Sequence, residues 1–165
     1  MTQSPNQRAQ SDSVQHRQHW ISVLARSSTQ ELESSWSSFT KKRPKLNELA
    51  YRFLRKPETG LVMVRARAGG DGQKFNLGEM SMSRCTVCME NGMVGYSYVK
   101  GRDHKHAELA AVFDALLQDE TWSEQVLESV ISPIALQQKT RRKDRKSKIA
   151  ASKVDFFTMV RGEDE

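Results

Sequence analysis

The sequence predicts an α+β domain, an antiparallel β meander of four or five strands flanked by N-terminal and C-terminal helices. Three observations carry that expectation. Apolar residues recur at helical spacing up to Phe39, alternate with other residues from Tyr51 to Tyr98, and return to helical spacing after Gly101. The order of helices, sheet and helices is that of an α+β fold. A chain of 165 residues is long enough for one core and short for two, so residues 15–162 are expected to form a single domain.

Residues 1–14 are polar and rich in Ser and Gln, the composition of a disordered leader. Trp20, Ile21, Val23 and Leu24 mark a first short helix. Ser28 opens a second, with Glu31 placed to complete a capping box and Leu32, Trp36 and Phe39 at helical spacing. From Tyr51 the period is 2. Pro57-Glu58-Thr59-Gly60 carries turn chemistry, Val62, Val64, Ala66 and Ala68 share one strand face, and Gly69-Gly70-Asp71-Gly72 is a second turn. Phe75 to Met89 supplies one long strand or two short ones around Gly78, and Asn91-Gly92 signals a hairpin into Val94, Tyr96 and Tyr98. Asp103 is a candidate N-cap for a helix bearing Leu109, Val112, Phe113, Leu116 and Leu117. Trp122, Val126, Val130 and Ile131 predict a short helix before Pro133, and a further helix is expected from Ile134 to Ser152.

The net charge of +6 is localised. Lys139, Arg141, Arg142, Lys143, Arg145, Lys146 and Lys148 face one acid, Asp144, and their surplus equals the charge of the whole chain. No aromatic residue interleaves with this run to stack a base, so a solvated helix face or an acidic partner is favoured over nucleic acid. No apolar run is long enough for a membrane span, and no secretory signal is evident; a cytoplasmic protein with two free thiols is expected.

Cys85 and Cys88 form a lone C-x-x-C, and His104 and His106 follow about twenty residues on. Together they have the ligand count of a zinc site, and His106-Ala107-Glu108 is similar to the His-x-Glu of zinc deaminases. The order of the two motifs is reversed relative to that family, and residues three apart on a strand point to opposite faces. A zinc-dependent hydrolase using Cys85, Cys88, His106 and Glu108 is the second reading. Arg102, Lys105 and His106 surround a predicted helix N-terminus, where unpaired N–H groups favour anions; Arg102 and His106 are the candidate substrate-binding residues. The closing Val154, Phe156, Phe157, Met159 and Val160 are apolar where free ends are normally polar. Residues from about 153 to 162 are therefore expected to bind a partner or a sheet edge.

Three blocks occur together: Glu58-Thr59-Gly60-Leu61-Val62 with Arg65-Ala66-Arg67-Ala68-Gly69-Gly70; Gly95-Tyr96-Ser97-Tyr98-Val99-Lys100-Gly101-Arg102-Asp103 leading to His106-Ala107-Glu108; and Ala151-Ser152-Lys153-Val154-Asp155-Phe156-Phe157-Thr158-Met159-Val160-Arg161-Gly162. From about His16 to Gly162 the chain resembles the G subunit of the bacterial carbon-phosphorus lyase core complex. The resemblance implies an accessory subunit of the transferase that displaces adenine from ATP by methylphosphonate, giving α-D-ribose 1-methylphosphonate 5-triphosphate. It implies the H, I and J subunits as partners and the L protein as a functional collaborator. It places nucleosidase chemistry on the I subunit and carbon-phosphorus cleavage on the J subunit. It assigns no catalytic residue, metal or cofactor to this chain, with ATP and magnesium entering as substrate of the assembly.

Overall fold

The computed structural model describes residues 5–43, 50–68 and 72–151. The elements are α1 (Pro5–Arg26), α2 (Thr29–Lys41), β1 (Tyr51–Arg67), β2 (Lys74–Met89), β3 (Val94–Lys100), α3 (His104–Leu116), α4 (Ser123–Val126), a π-helical turn (Leu127–Ile131) and α5 (Ser132–Ala151). The α+β class holds. Of the expected leader, the residues from Pro5 onward are helical. Proline suits the first turn of a helix, where its missing N–H would have had no partner. The break between α1 and α2 falls at Ser27 and Ser28. Ser28 Oγ accepts from the Glu31 N–H at 3.2 Å, and Glu31 Oε2 accepts from the Ser28 N–H at 2.8 Å, closing the capping box.

Among the described residues the sheet has three antiparallel strands in the order β1-β2-β3, fewer than the four or five expected. Pro57 to Gly60 does not turn the chain. Between the pairs Arg55↔Thr86 and Glu58↔Arg84 the register shifts, and β1 carries the extra residue as a bulge. β1 is an edge strand, where a proline without an N–H is tolerated at such an irregularity. Gly78 likewise bends nothing: β2 runs unbroken from Lys74 to Met89, with a register shift opposite Val64 and Arg65. The Asn91-Gly92 hairpin forms as expected, with Gly92 at φ 85° and the Gly92 N–H donating to Met89 O at 3.0 Å. Residues 69–71 of the other turn lie outside the described residues.

Pro133 does not end a helix. It follows the π-helical turn, in which the Ser132 N–H reaches back to Leu127 O. A proline at 133 cannot donate to Ser129 O and crowds that turn, and the wider turn accommodates both effects.

The helices cover one face of the sheet, and α3 lies at the centre. Ala107, Ala110, Ala111, Val112, Phe113, Ala115 and Leu116 are all buried, so its apolar surface extends nearly all round. One side meets β2 and β3; the other meets α1 and α2, with Trp36 edge-on to Phe113 at 5.6 Å between ring centroids. Gly95 sets how close α3 comes to β3. A Cβ there would lie 1.9 Å from Ala111 O and 2.7 Å from Ala115 N, so only glycine fits without moving the helix. Asp114 is the one carboxylate among the buried described residues, with no solvent exposure. Its carboxylate accepts from Arg17 Nη2 at 2.7 Å, Trp20 Nε1 at 2.8 Å and the Tyr96 N–H at 2.9 Å.

Replacing Asp114 by Ala strands the Trp20 and Tyr96 donors and leaves Arg17 without its counter-charge. Arg17 is a third exposed and can turn to water, while each stranded donor costs about 1–3 kcal/mol. Urea unfolding of Asp114→Ala should show a loss of that size, and a loss under about 1 kcal/mol would refute the role.

Candidate functional site

Of the residues singled out by sequence, Arg102, His106 and Glu108 lie at or just after the start of α3, and their environments differ. Asp103 is the N-cap, accepting from the His106 N–H at 2.9 Å. Its other oxygen accepts from the Thr29 hydroxyl of α2. That hydroxyl, and against the cost of burial the His106 N–H, hold the Asp103 carboxyl below the ordinary aspartate range. The helix N-terminus thus already has an anion on it.

His106 is buried, and its Nε2–H donates to Leu24 O at 2.8 Å, joining α3 to α1. In this arrangement it is a packing histidine, separate from exposed Arg102. The histidine at the surface beside Arg102 is His104, whose Nε2 shares a hydrogen bond with Thr59 Oγ1 at 2.9 Å. Thr59 Oγ1 continues to Ser83 Oγ at 3.2 Å, and Ser83 donates to Gly101 O at 2.9 Å. One turn along α3, Glu108 accepts from Tyr51 Oη at 2.5 Å and lies 3.5 Å from Lys105 Nζ. Burial and then the Glu108 carboxylate raise the Tyr51 phenol. The same two causes push the Cys85 thiol up to about 11, so at neutral pH it is protonated and a poor nucleophile.

The zinc reading does not survive this geometry. Cys85 is buried facing α3 and Cys88 is on an alternate position of β2; their sulfurs lie near Arg55 O and Met89 O respectively. His106 is buried and gives one of its two ring nitrogens, Nε2, to Leu24 O. Among the described residues no three His, Cys, Asp or Glu side chains are grouped to hold a metal.

The basic run lies along exposed α5, where Arg141 pairs with Glu31 of α2 at 2.9 Å. A groove of about 570 Å³ between α1 and the start of α5, with Val23 and Ile131 among its apolar lining and Arg26, Lys139 and Arg142 among its cations, is separate from the α3 start. No helix among the described residues is long and apolar enough to cross a membrane. The tail residues Val154, Phe156, Phe157, Met159 and Val160 lie outside the described residues.

The sequence reading overlooked Asp114, the Tyr51–Glu108 pair and the Thr59–His104 link. Asp114 had a signal, a lone acid in the otherwise apolar run Leu109 to Leu117; the other two pairings join residues 57 and 45 positions apart and had none.

A family model described as phosphonate metabolism protein PhnG matches residues 15–162. The chain belongs to the PhnG family. It is 41% identical over 151 residues, 92% of each chain, to the alpha-D-ribose 1-methylphosphonate 5-triphosphate synthase subunit PhnG of Rhizobium meliloti (strain 1021). The match includes every element of this fold from the middle of α1 onward.

The lowered carboxyl of Asp103 sets a pH dependence. A depressed folded value contributes stability above the unfolded value, near pH 4, and that contribution is lost as pH falls through the folded value. Asp103→Asn should be less stable than the wild type at pH 7 in urea, and the gap should narrow as pH falls below about 4. A gap that stays constant would remove Asp103 as a source of acid sensitivity.

Proposed function

We propose that this chain is an accessory subunit of a synthase that makes α-D-ribose 1-methylphosphonate 5-triphosphate by displacing adenine from ATP with methylphosphonate. The observation that carries the reading is the 41% identity, over nearly all of both chains, to a protein named as a subunit of that synthase. The placement of the ionisable groups supports it: Asp103, His106 and Asp114 are each engaged in joining α3 to its neighbours. The reaction passes through a cationic sugar and a leaving adenine, which call for a carboxylate in a shaped pocket and a group that stabilises the departing base. Glu108 is the carboxylate nearest the basic residues at the α3 start, and it is already bound by Tyr51.

In this reading the H, I and J subunits are the chain's partners in the cytoplasm, the L protein cooperates with them, and ATP with magnesium is substrate of the assembly instead of a cofactor held here. Arg102, exposed beside the capped helix end, is the residue of this chain placed to meet a substrate anion. The apolar tail, Val154 to Val160, is one docking element.

The purified chain should release no adenine from ATP, with or without methylphosphonate, and activity should arise when the I subunit is supplied. Adenine release proportional to this chain alone, and lost in Glu108→Gln, would place the reactive site here and overturn the accessory role. A chain truncated after Ser152 should remain folded by circular dichroism and fail to join the other subunits. Incorporation at wild-type affinity would remove the tail from the interface.

A further inference from the structure

The strand pair β1–β2 extends well past the domain. β3 ends at the pair Met82↔Lys100, and from there outward β1 and β2 have only each other among the described residues. On β2 the buried positions are Ser83, Cys85, Val87 and Met89, and none lies between Lys74 and Met82. Leu61–Arg67 and Lys74–Ser81 therefore form a two-stranded arm on the order of 20 Å long. A two-stranded ribbon alone is marginal in water, and among the described residues no strand pairs with either outer edge of this one.

Its side chains are not those of a solvated ribbon. Leu61 and Leu77 are each 63% exposed, Met63 51% and Phe75 45%. Leu61 and Met63 alternate with Val62 and Val64, so both faces of the arm carry apolar groups. A single flat contact would cover one face; covering both needs a surface that encloses the arm.

Charge points to what that surface contains. The described part of the arm's end carries Arg65, Arg67 and Lys74 and no acid, and none of the three forms an ion pair among the described residues. Arg67 stands directly across the ladder from Lys74, a like-charge pairing that disfavours the isolated hairpin. Two arms packed on each other would bring together two such ends with Glu79 as the nearby acid of each among the described residues, because Glu58 at the arm's base is already bound by Arg55 and Arg84.

We propose that this arm is a clasp enclosed by a different subunit of the synthase, which offers an apolar seat with acidic side chains opposite Arg65, Arg67 and Lys74. The proposal rests on the subunit role given above.

The test uses the full chain and the other synthase subunits, co-expressed. Amides of Leu61–Arg67 and Lys74–Ser81 should exchange hydrogen quickly in the isolated chain and at least tenfold more slowly in the assembly. Leu61→Ser with Leu77→Ser should weaken incorporation at least a hundredfold. Arg65→Glu with Arg67→Glu should weaken it at least tenfold, with the loss shrinking as salt rises. Both double variants should melt within a few degrees of the wild type when isolated, because none of these residues is in the core. Unprotected arm amides in the assembly, or variants that join at wild-type affinity, overturn the clasp and leave the subunit role standing. A wild-type chain that joins no synthase subunit overturns both. An isolated chain that is dimeric, and made monomeric by the arm variants, assigns the arm to a second copy and overturns the proposal.

Discussion

The Asp114 carboxylate sits without solvent in the middle of the molecule and takes hydrogen bonds from Arg17 and Trp20 of α1 and from the backbone of Tyr96 in β3. One side chain of α3 thereby ties the helical layer to the sheet. An ion pair of this kind adds little net stability over an apolar substitute, since desolvating the charges offsets much of their attraction. Its contribution is positional. Each donor is fixed to a different element, so sliding α1 or β3 along α3 strands a buried polar group, and the alternative packings that an all-alanine surface would permit are disfavoured.

That surface is itself a device for close approach. Ala107, Ala110, Ala111 and Ala115 let the backbone of α3 come near its neighbours, and Gly95 lets β3 meet Ala111 and Ala115 without a side chain between. Ser97 Oγ, reaching Ala107 O at 2.6 Å, adds a polar contact along the same seam. The larger core groups Leu24 of α1, Leu32 of α2 and Phe113 are buried on the opposite side, where Trp36 meets Phe113. The interior is thus asymmetric, tight toward the sheet and bulky toward α1 and α2.

This construction concentrates the ionisable groups of the α3 region on internal joints. Asp103 links to α2, His106 to α1, Glu108 to β1 through Tyr51, and Asp114 to α1 and β3. A helix so committed holds a shape. The surface it supports, the β1–β2 ribbon continuing beyond the helices, carries apolar groups that no other described residues cover. A domain rigid at its centre and unfinished at its edge is suited to joining other chains, in keeping with a family represented by a synthase subunit.

Much of this was legible locally. The capping box at Ser28 and Glu31, the Asn91-Gly92 hairpin and the Asp103 cap need only neighbours in sequence, so spacing was enough to locate them. The strand count was misjudged because Pro57 and Gly78 are turn residues by propensity, while a long pairing partner across the ladder carries the chain straight past both with register shifts. At the α3 start the sequence put Arg102 and His106 together at a helix end, but burial is a property of what packs there, and α1 closes over His106 alone. Sequence by itself determined the class of fold, the local caps and turns, and the family, because these depend on period, short-range chemistry and residue identity along the chain. Only the tertiary structure decided which polar residues are committed to the interior, that Cys85 and Cys88 share no metal geometry with His106, and that the long hairpin extends past its supporting helices, because each depends on contacts between residues far apart in sequence.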